Sequence, residues 1–232
     1  MIRLSPRLAA AAAFASGGKS VADIGTDHGY LPVYLAQLGK AERIVASDLR
    51  AGPLSNAMRS AEEYGVSDRI SFAQADGLAG LGRDFDTVVI AGMGGDTIAS
   101  ILAASPWTKD GARLVLQPQS KTEHLTRWLS GNGYAIADAA LAEEGSRLCL
   151  VLAASGGKAA PPRREADLFA PEALFARRDP LLPRYLASLE KKFALAAAGM
   201  ARGAALPEDY ADTEALLRGV RELMEEAEKW QP

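Results

Sequence analysis

Cys149 is the one cysteine in this 232-residue chain, so no intramolecular disulfide framework can form. It falls in the apolar run Leu148-Cys149-Leu150-Val151-Leu152, where a buried structural thiol is expected rather than a reactive one. Histidine is nearly as scarce, with two in the chain, and no Cys/His spacing suits a metal, so none is expected. Long apolar runs are also missing: nothing approaches the roughly 20 residues of a membrane span. The alanine run 9–13 fails as the core of a signal peptide, because Arg7 precedes it too closely and a strand follows soon after Gly17-Gly18. The expectation is a cytoplasmic protein. Charge of one sign is lacking too, since 26 Lys+Arg stand against 29 Asp+Glu for a net −3; a polyanionic partner would need a local basic patch.

What is present is apolar mass, 48% of residues, enough for one α/β core and a small second unit. Short β-branched runs alternate with helical segments up to about residue 152, the pattern of a parallel sheet covered on both faces. Strands are expected at 20–24, 43–47, 70–73, 87–91 and 113–116, with helices at 31–38, 53–64, 96–103 and 121–129. Two further strands, 134–141 and 147–152, are separated by the turn-like Glu143-Glu144-Gly145-Ser146 and read as a terminal antiparallel hairpin. Glycines and prolines at 155–162 form a linker between a catalytic domain over 1–154 and a helical domain over 163–232. In the latter, Leu186, Leu189, Phe193, Ala196 and Met200 recur at helical spacing, as do Thr213, Leu216, Val220, Leu223, Ala227 and Trp230. With a turn at Gly203-Ala204-Ala205-Leu206-Pro207, these read as a coiled-coil-like helical hairpin.

The segment Asp23-Ile24-Gly25-Thr26-Asp27-His28-Gly29-Tyr30 is a strand end, a loop and a helix start. Gly25 and Gly29 allow a tight turn and close approach to a ligand. A dinucleotide fold would place a glycine where Asp23 stands, and Asp23 and Asp27 would repel a pyrophosphate. Acidic neighbours instead favour the ammonium and sulfonium of S-adenosylmethionine. Asp48, at about the ~20-residue offset of a ribose-binding acid, ends the second strand, and Asp76-Gly77 follows the third, where the carboxylate can accept the adenine amino group. Either acid alone could equally cap a helix; as a set they line the ligand edge of an open α/β sheet. The expected cofactor contacts are Asp23, Gly25, Thr26, Asp27, His28, Gly29, Asp48, Leu49, Asp76, Gly77 and Gly92.

Three segments, 23–32, Ile90-Ala91-Gly92-Met93-Gly94-Gly95 and Leu116-Gln117-Pro118, resemble the bacterial tRNA (adenine-22-N1)-methyltransferase family, as does the opening Leu4-Ser5-Pro6-Arg7-Leu8. The resemblance covers most of residues 1–152 and is architectural beyond them. It implies a Rossmann-like class I methyltransferase sheet, S-adenosylmethionine as cofactor, tRNA as partner and N1 of an adenine as acceptor. An acceptor that is a small molecule or a protein would need the same cofactor residues.

At the reacting edge, Gly92, Met93 and Gly94 form a wide floor for a flat base, and no Asp/Asn-Pro-Pro-aromatic motif is present. Tyr30 could stack on an adenine taken out of its own stack or be a core aromatic at a helix start. His28 could orient the base or the methionine group, or simply bond locally. The expected catalytic set is Asp27, His28, Tyr30, Gly92, Met93 and Gly94; His124 is assigned to a solvated face. For phosphate contact the candidates are Arg3, Arg7, Lys121, Arg127, Arg177, Arg178 and Arg184. A monomer is expected.

Overall fold

A computed structural model describes residues 1–202 and 207–229. The expected turn at Gly203 to Leu206 and Trp230 lie outside the described residues. The chain divides into two compact units, 1–159 and 160–232.

The first unit carries β1 (Ser20–Ile24), β2 (Arg43–Asp48), β3 (Ser71–Gln74), β4 (Thr87–Gly94), β5 (Arg113–Ser120), β6 (Tyr134–Glu144) and β7 (Arg147–Gly156). They form one sheet in the order β3-β2-β1-β4-β5-β7-β6. The first five strands are parallel, and β7 is antiparallel to β5 and β6. The Rossmann-like sheet and its terminal hairpin are as expected from the sequence. Five helices accompany it: α1 (Pro6–Ala15), α2 (Tyr30–Leu38), α3 (Ala51–Glu63), α4 (Gly95–Ala103) and α5 (Thr122–Gly131).

Side chains alternate across a strand, and both faces here are buried: Val88, Val89 and Ile90 of β4 are all fully covered. Val89 joins Val21, Ile44, Val115 and Val151 in a core cluster with Ala11, Ala12 and Ala15 of α1 and Leu31, Val33 and Leu35 of α2. Ala11, Ala12 and Ala15 are thus the buried face of α1, small enough to bring the helix close, while Ala9 and Ala13 of the alanine run are exposed. Leu114 and Leu116 alternate with Val115 on β5, while α4 and α5 bury Ile98, Leu102, Leu125 and Leu129. Each such side chain contributes about 1.5–3 kcal/mol on burial.

Several strands outrun their expected ends. β7 extends to Gly156, so Ser155 and Gly156 are strand rather than linker; Gly156 is glycine because a Cβ would overlap the Lys109 carbonyl. Cys149 is half-buried rather than buried, and partial desolvation still pushes its thiol above the usual range.

The second unit contains α6 (Glu172–Ala176), α7 (Leu182–Met200) and α8 (Tyr210–Glu228). α7 and α8 pack on one another, with Leu186, Leu189 and Phe193 meeting the face of Thr213, Val220, Leu223 and Ala227. The α7 stripe continues through Ala197, not Ala196, which is exposed. A 3.6-residue period drifts from a strict 3,4 alternation. Phe169, edge-on to Phe193 at 5.2 Å, extends this core beyond a two-helix hairpin. Among the described residues no helix is long and apolar enough to cross a membrane.

Candidate active site

β1 lies between β2 and β4, so the chain order reverses beside its carboxyl end, where open α/β sheets bind ligands. The loop leaving β1 is tied to β2, since Gly25 and Thr26 N–H both donate to Ser47 O, at 2.8 and 2.9 Å. Gly25 takes φ +74° and Asp27 φ +49°, a left-handed conformation uncommon for a residue with a Cβ. A Cβ at Gly25 would overlap Met93 Cε. Gly29, expected to approach a ligand, instead lets α2 approach α3: a Cβ there would stand 2.8 Å from Ala57 Cβ.

Asp48 is 8% exposed, and its Oδ1 accepts the Arg50 N–H at 2.9 Å. The third strand is held alongside by Ala75 N–H donating to Asp48 O at 3.1 Å. Gly25, Asp48, Leu49, Asp76, Gly77 and Met93 together line one cavity of about 510 Å³, the size of small-molecule sites generally. Arg50, Leu78 and, from α4, Thr97 and Ile101 are among the other residues of its wall. Sequence reasoning named none of these. The 97/101 spacing on α4 was a usable signal, because residues four apart share a helix face.

Asp23, the neighbour in sequence of the cavity-lining Ile24 and Gly25, is 5% exposed. Burial, with a smaller contribution from nearby Asp48, raises its carboxyl to about 6, and the adjacent Thr26 hydroxyl offsets part of that rise. No hydrogen bond of full geometry ties the two, and buried Thr26 Oγ1 and Ser47 Oγ both lack a partner. Buried polar groups are normally satisfied. A buried acid next to the unused Thr26 hydroxyl, adjoining Ile24 and Gly25 of the cavity wall, suits a cationic, hydrogen-bonding ligand end.

The far side of the site is the end of β4, where register shifts flank Met93. Gly92 takes φ +85°, and its N–H donates to Gln117 Oε1 at 3.1 Å. Gly95 is confined by the Lys121 carbonyl, which a Cβ would overlap. Asp27, His28 and Tyr30 occupy the outer rim of the β1 loop rather than the cavity wall. His28 and Tyr30 stack at 5.3 Å, 15° from parallel, and His28 Nε2 lies 3.7 Å from Asp27 Oδ2. Tyr30 is 41% exposed, so it is not a core aromatic.

Among the expected phosphate contacts, Arg7 and Lys121 are held by side chains of the first unit. Arg7 is largely covered and donates to Gln117 Oε1 at 3.0 Å. Lys121 pairs with Asp96, whose other oxygen meets His124 Nδ1 at 3.0 Å; these cationic partners lower the Asp96 pKa, and Asp96 raises that of Lys121. Arg3 and Arg127 are exposed on the first unit, and Arg177, Arg178 and Arg184 are exposed on the second.

The methyltransferase domain family matches residues 4–152. The tRNA (adenine(22)-N(1))-methyltransferase of Bacillus subtilis is 39% identical over 158 residues, 67% of this chain and 66% of the relative, just under two thirds of its length. The solved structure of the B. subtilis m1A22 tRNA methyltransferase superposes with a TM-score of 0.79 at 28% identity, covering 99% of both chains. A Streptococcus pneumoniae protein solved in complex with S-adenosyl-L-methionine gives 0.83 at 26% identity, covering 96% of this chain and all of that one.

Proposed function

The chain belongs to the methyltransferase domain family, and from that premise we propose that it methylates N1 of an adenine in tRNA with S-adenosylmethionine as cofactor. The observation that carries the reading is the convergence of Gly25, Asp48 and Asp76 on one cavity bounded by Met93 of the bulged β4 end. The acceptor rests on the B. subtilis relative. Bound S-adenosylmethionine supplies the methyl group.

The residues present fit that cofactor. Asp48 accepts the ribose hydroxyls, Asp76 the adenine amino group, and Leu49, Leu78 and Ile101 offer apolar surface to the base. Asp23 and Thr26 supply acceptors for the cationic methionine end. Asp27, His28 and Tyr30 hold the incoming adenine at the rim, above the floor of Gly92 to Gly94.

N1 of adenine carries an in-plane lone pair and is mostly unprotonated near neutral pH, so attack needs no general base. The protein's task is to hold N1 in line with the methyl, and orientation alone can supply much of the rate. Single-turnover rates at saturating tRNA and cofactor are therefore expected to stay nearly flat from mildly acidic to mildly alkaline pH. A rate rising tenfold per pH unit through neutrality would require a base. Mass spectrometry of tRNA methylated in vitro, digested without hot alkali to avoid rearrangement, is expected to give N1-methyladenosine. N6-methyladenosine, or methylation of protein or small molecules alone, would overturn the assignment.

We assign 1–154 to catalysis and the helical remainder to RNA positioning, with Arg177, Arg178 and Arg184 as phosphate contacts alongside Arg3 and Arg127. A fragment ending at Ala160 is then expected to bind cofactor and lose most tRNA methylation, and full activity in it would refute the positioning role. A cytoplasmic monomer is the working form, to be checked by light scattering.

A further inference from the structure

The bulge at Gly92 leaves its N–H outside the β4–β5 register, and a side chain satisfies it: Gln117 Oε1, at 3.1 Å. Gln117 is 1% exposed, and its Nε2 donates to Pro118 O at 2.9 Å. The same Oε1 accepts Arg7 Nη1 at 3.0 Å. Arg7 is itself held from β6, where Glu144 Oε2 accepts the Ser5 hydroxyl at 2.9 Å and the Arg7 N–H at 3.2 Å and lies 3.6 Å from Arg7 Nε.

A glutamine amide can turn either its oxygen or its NH2 to the same space. With the NH2 turned inward, donor would face donor at Gly92. A guanidinium only donates, so Arg7 selects the oxygen, and its charge strengthens the bond. We propose that Arg7 is a positioning residue for methyl transfer, fixing the Gln117 amide and through it the course of Gly92 to Gly94. The inference rests on reading those residues as the floor beneath the acceptor base. Arg7 touches neither cofactor nor base in this scheme; it acts through Gln117.

The test uses the full chain. Misplacement of the floor by about 1 Å can cost up to a hundredfold in rate, so Arg7→Met is expected to lower kcat on tRNA about ten- to a hundredfold. The KM for tRNA and the calorimetric affinity for S-adenosylmethionine should not change. Arg7→Lys keeps one donor without the fork and should recover part of the loss. Hydrogen exchange of the Gly92 amide, followed by NMR in the cofactor-bound protein, should accelerate in Arg7→Met and less in Arg7→Lys. A raised KM for tRNA at unchanged kcat would overturn the proposal by making Arg7 a phosphate contact; unchanged Gly92 exchange would also overturn it. If Arg7→Met does not fold, Arg7→Lys decides, and wild-type kcat and exchange in that variant refute the relay. If the wild-type protein methylates no tRNA, the acceptor assignment fails by itself, and Gly92 exchange still judges the relay.

Discussion

In the helical unit Arg164 meets Asp167 at 3.0 Å and Glu226 at 2.9 Å, Tyr185 gives its hydroxyl to Phe169 O at 2.9 Å, and Thr213 gives its own to Asp209 O at 3.0 Å. At the carboxyl edge of the sheet, Asp23 is buried with a raised pKa, Thr26 and Ser47 have unpartnered hydroxyls, and Asp27 is held at positive φ. Evolution tolerates unmet polar groups where a ligand is to meet them. An orphan hydroxyl alone marks nothing, for Ser20 Oγ at the opposite end of β1 is one as well. The coincidence with a buried acid and a strained loop is what distinguishes the edge.

The sharpest way to break this comparison is Asp23→Asn. The folded pKa of about 6 exceeds the ordinary 3.8, so the folded state holds the proton more tightly than the unfolded chain. Stability is therefore highest below the ordinary value and falls as pH rises through the window between the two, with the full penalty present above about 6. Removing the charge is expected to stabilise the ligand-free protein at pH 7.5 by up to roughly 3 kcal/mol while weakening cofactor binding. Denaturant titrations should show that gain disappear near pH 4. A gain of the same size at both pH values would mean that the buried charge is not its source.

Asp48→Ala should weaken S-adenosylmethionine by about 1.5–3 kcal/mol, the worth of a hydrogen bond to a charged group, as read by calorimetry. Unchanged affinity would remove Asp48 from the site. In the helical unit the satisfied network makes the opposite prediction: Arg164→Met should cost about 1–2 kcal/mol of stability and leave cofactor affinity alone. A parallel loss of affinity would erase the contrast between the regions. Smallest of all, Arg221→Met breaks the pair with Glu190 at 2.8 Å, and because Arg221 is largely exposed the expected change in thermal unfolding is below ~1 kcal/mol and shrinks with salt.

Much of this was legible residue by residue. The short β-branched runs and the turn-separated pair 134–141 and 147–152 predict all seven strands, and the acids Asp48 and Asp76 stand at or just after strand ends, where the cavity lies. The bulge was harder to read: three glycines around Met93 signal a turn, but the extension of β4 to Gly94 depends on β5 running alongside to Ser120. The partners of Arg7 and Lys121 were not legible, because a cation in a sequence looks free until its partner is known; Glu144 lies 137 residues from Arg7.

Local chemistry by itself determined the seven strands and the helices between them, the parallel run of the sheet and the cofactor class, because β-branched runs, helical spacing, glycine placement and acids at strand ends are properties of neighbouring residues. Tertiary structure alone decided that Gly29 serves helix packing, that Asp23 is desolvated enough to shift, and that Arg7 ends on Gln117. Each depends on atoms brought together from distant stretches of chain, and desolvation and pairing are set by that spatial neighbourhood, which no local pattern encodes.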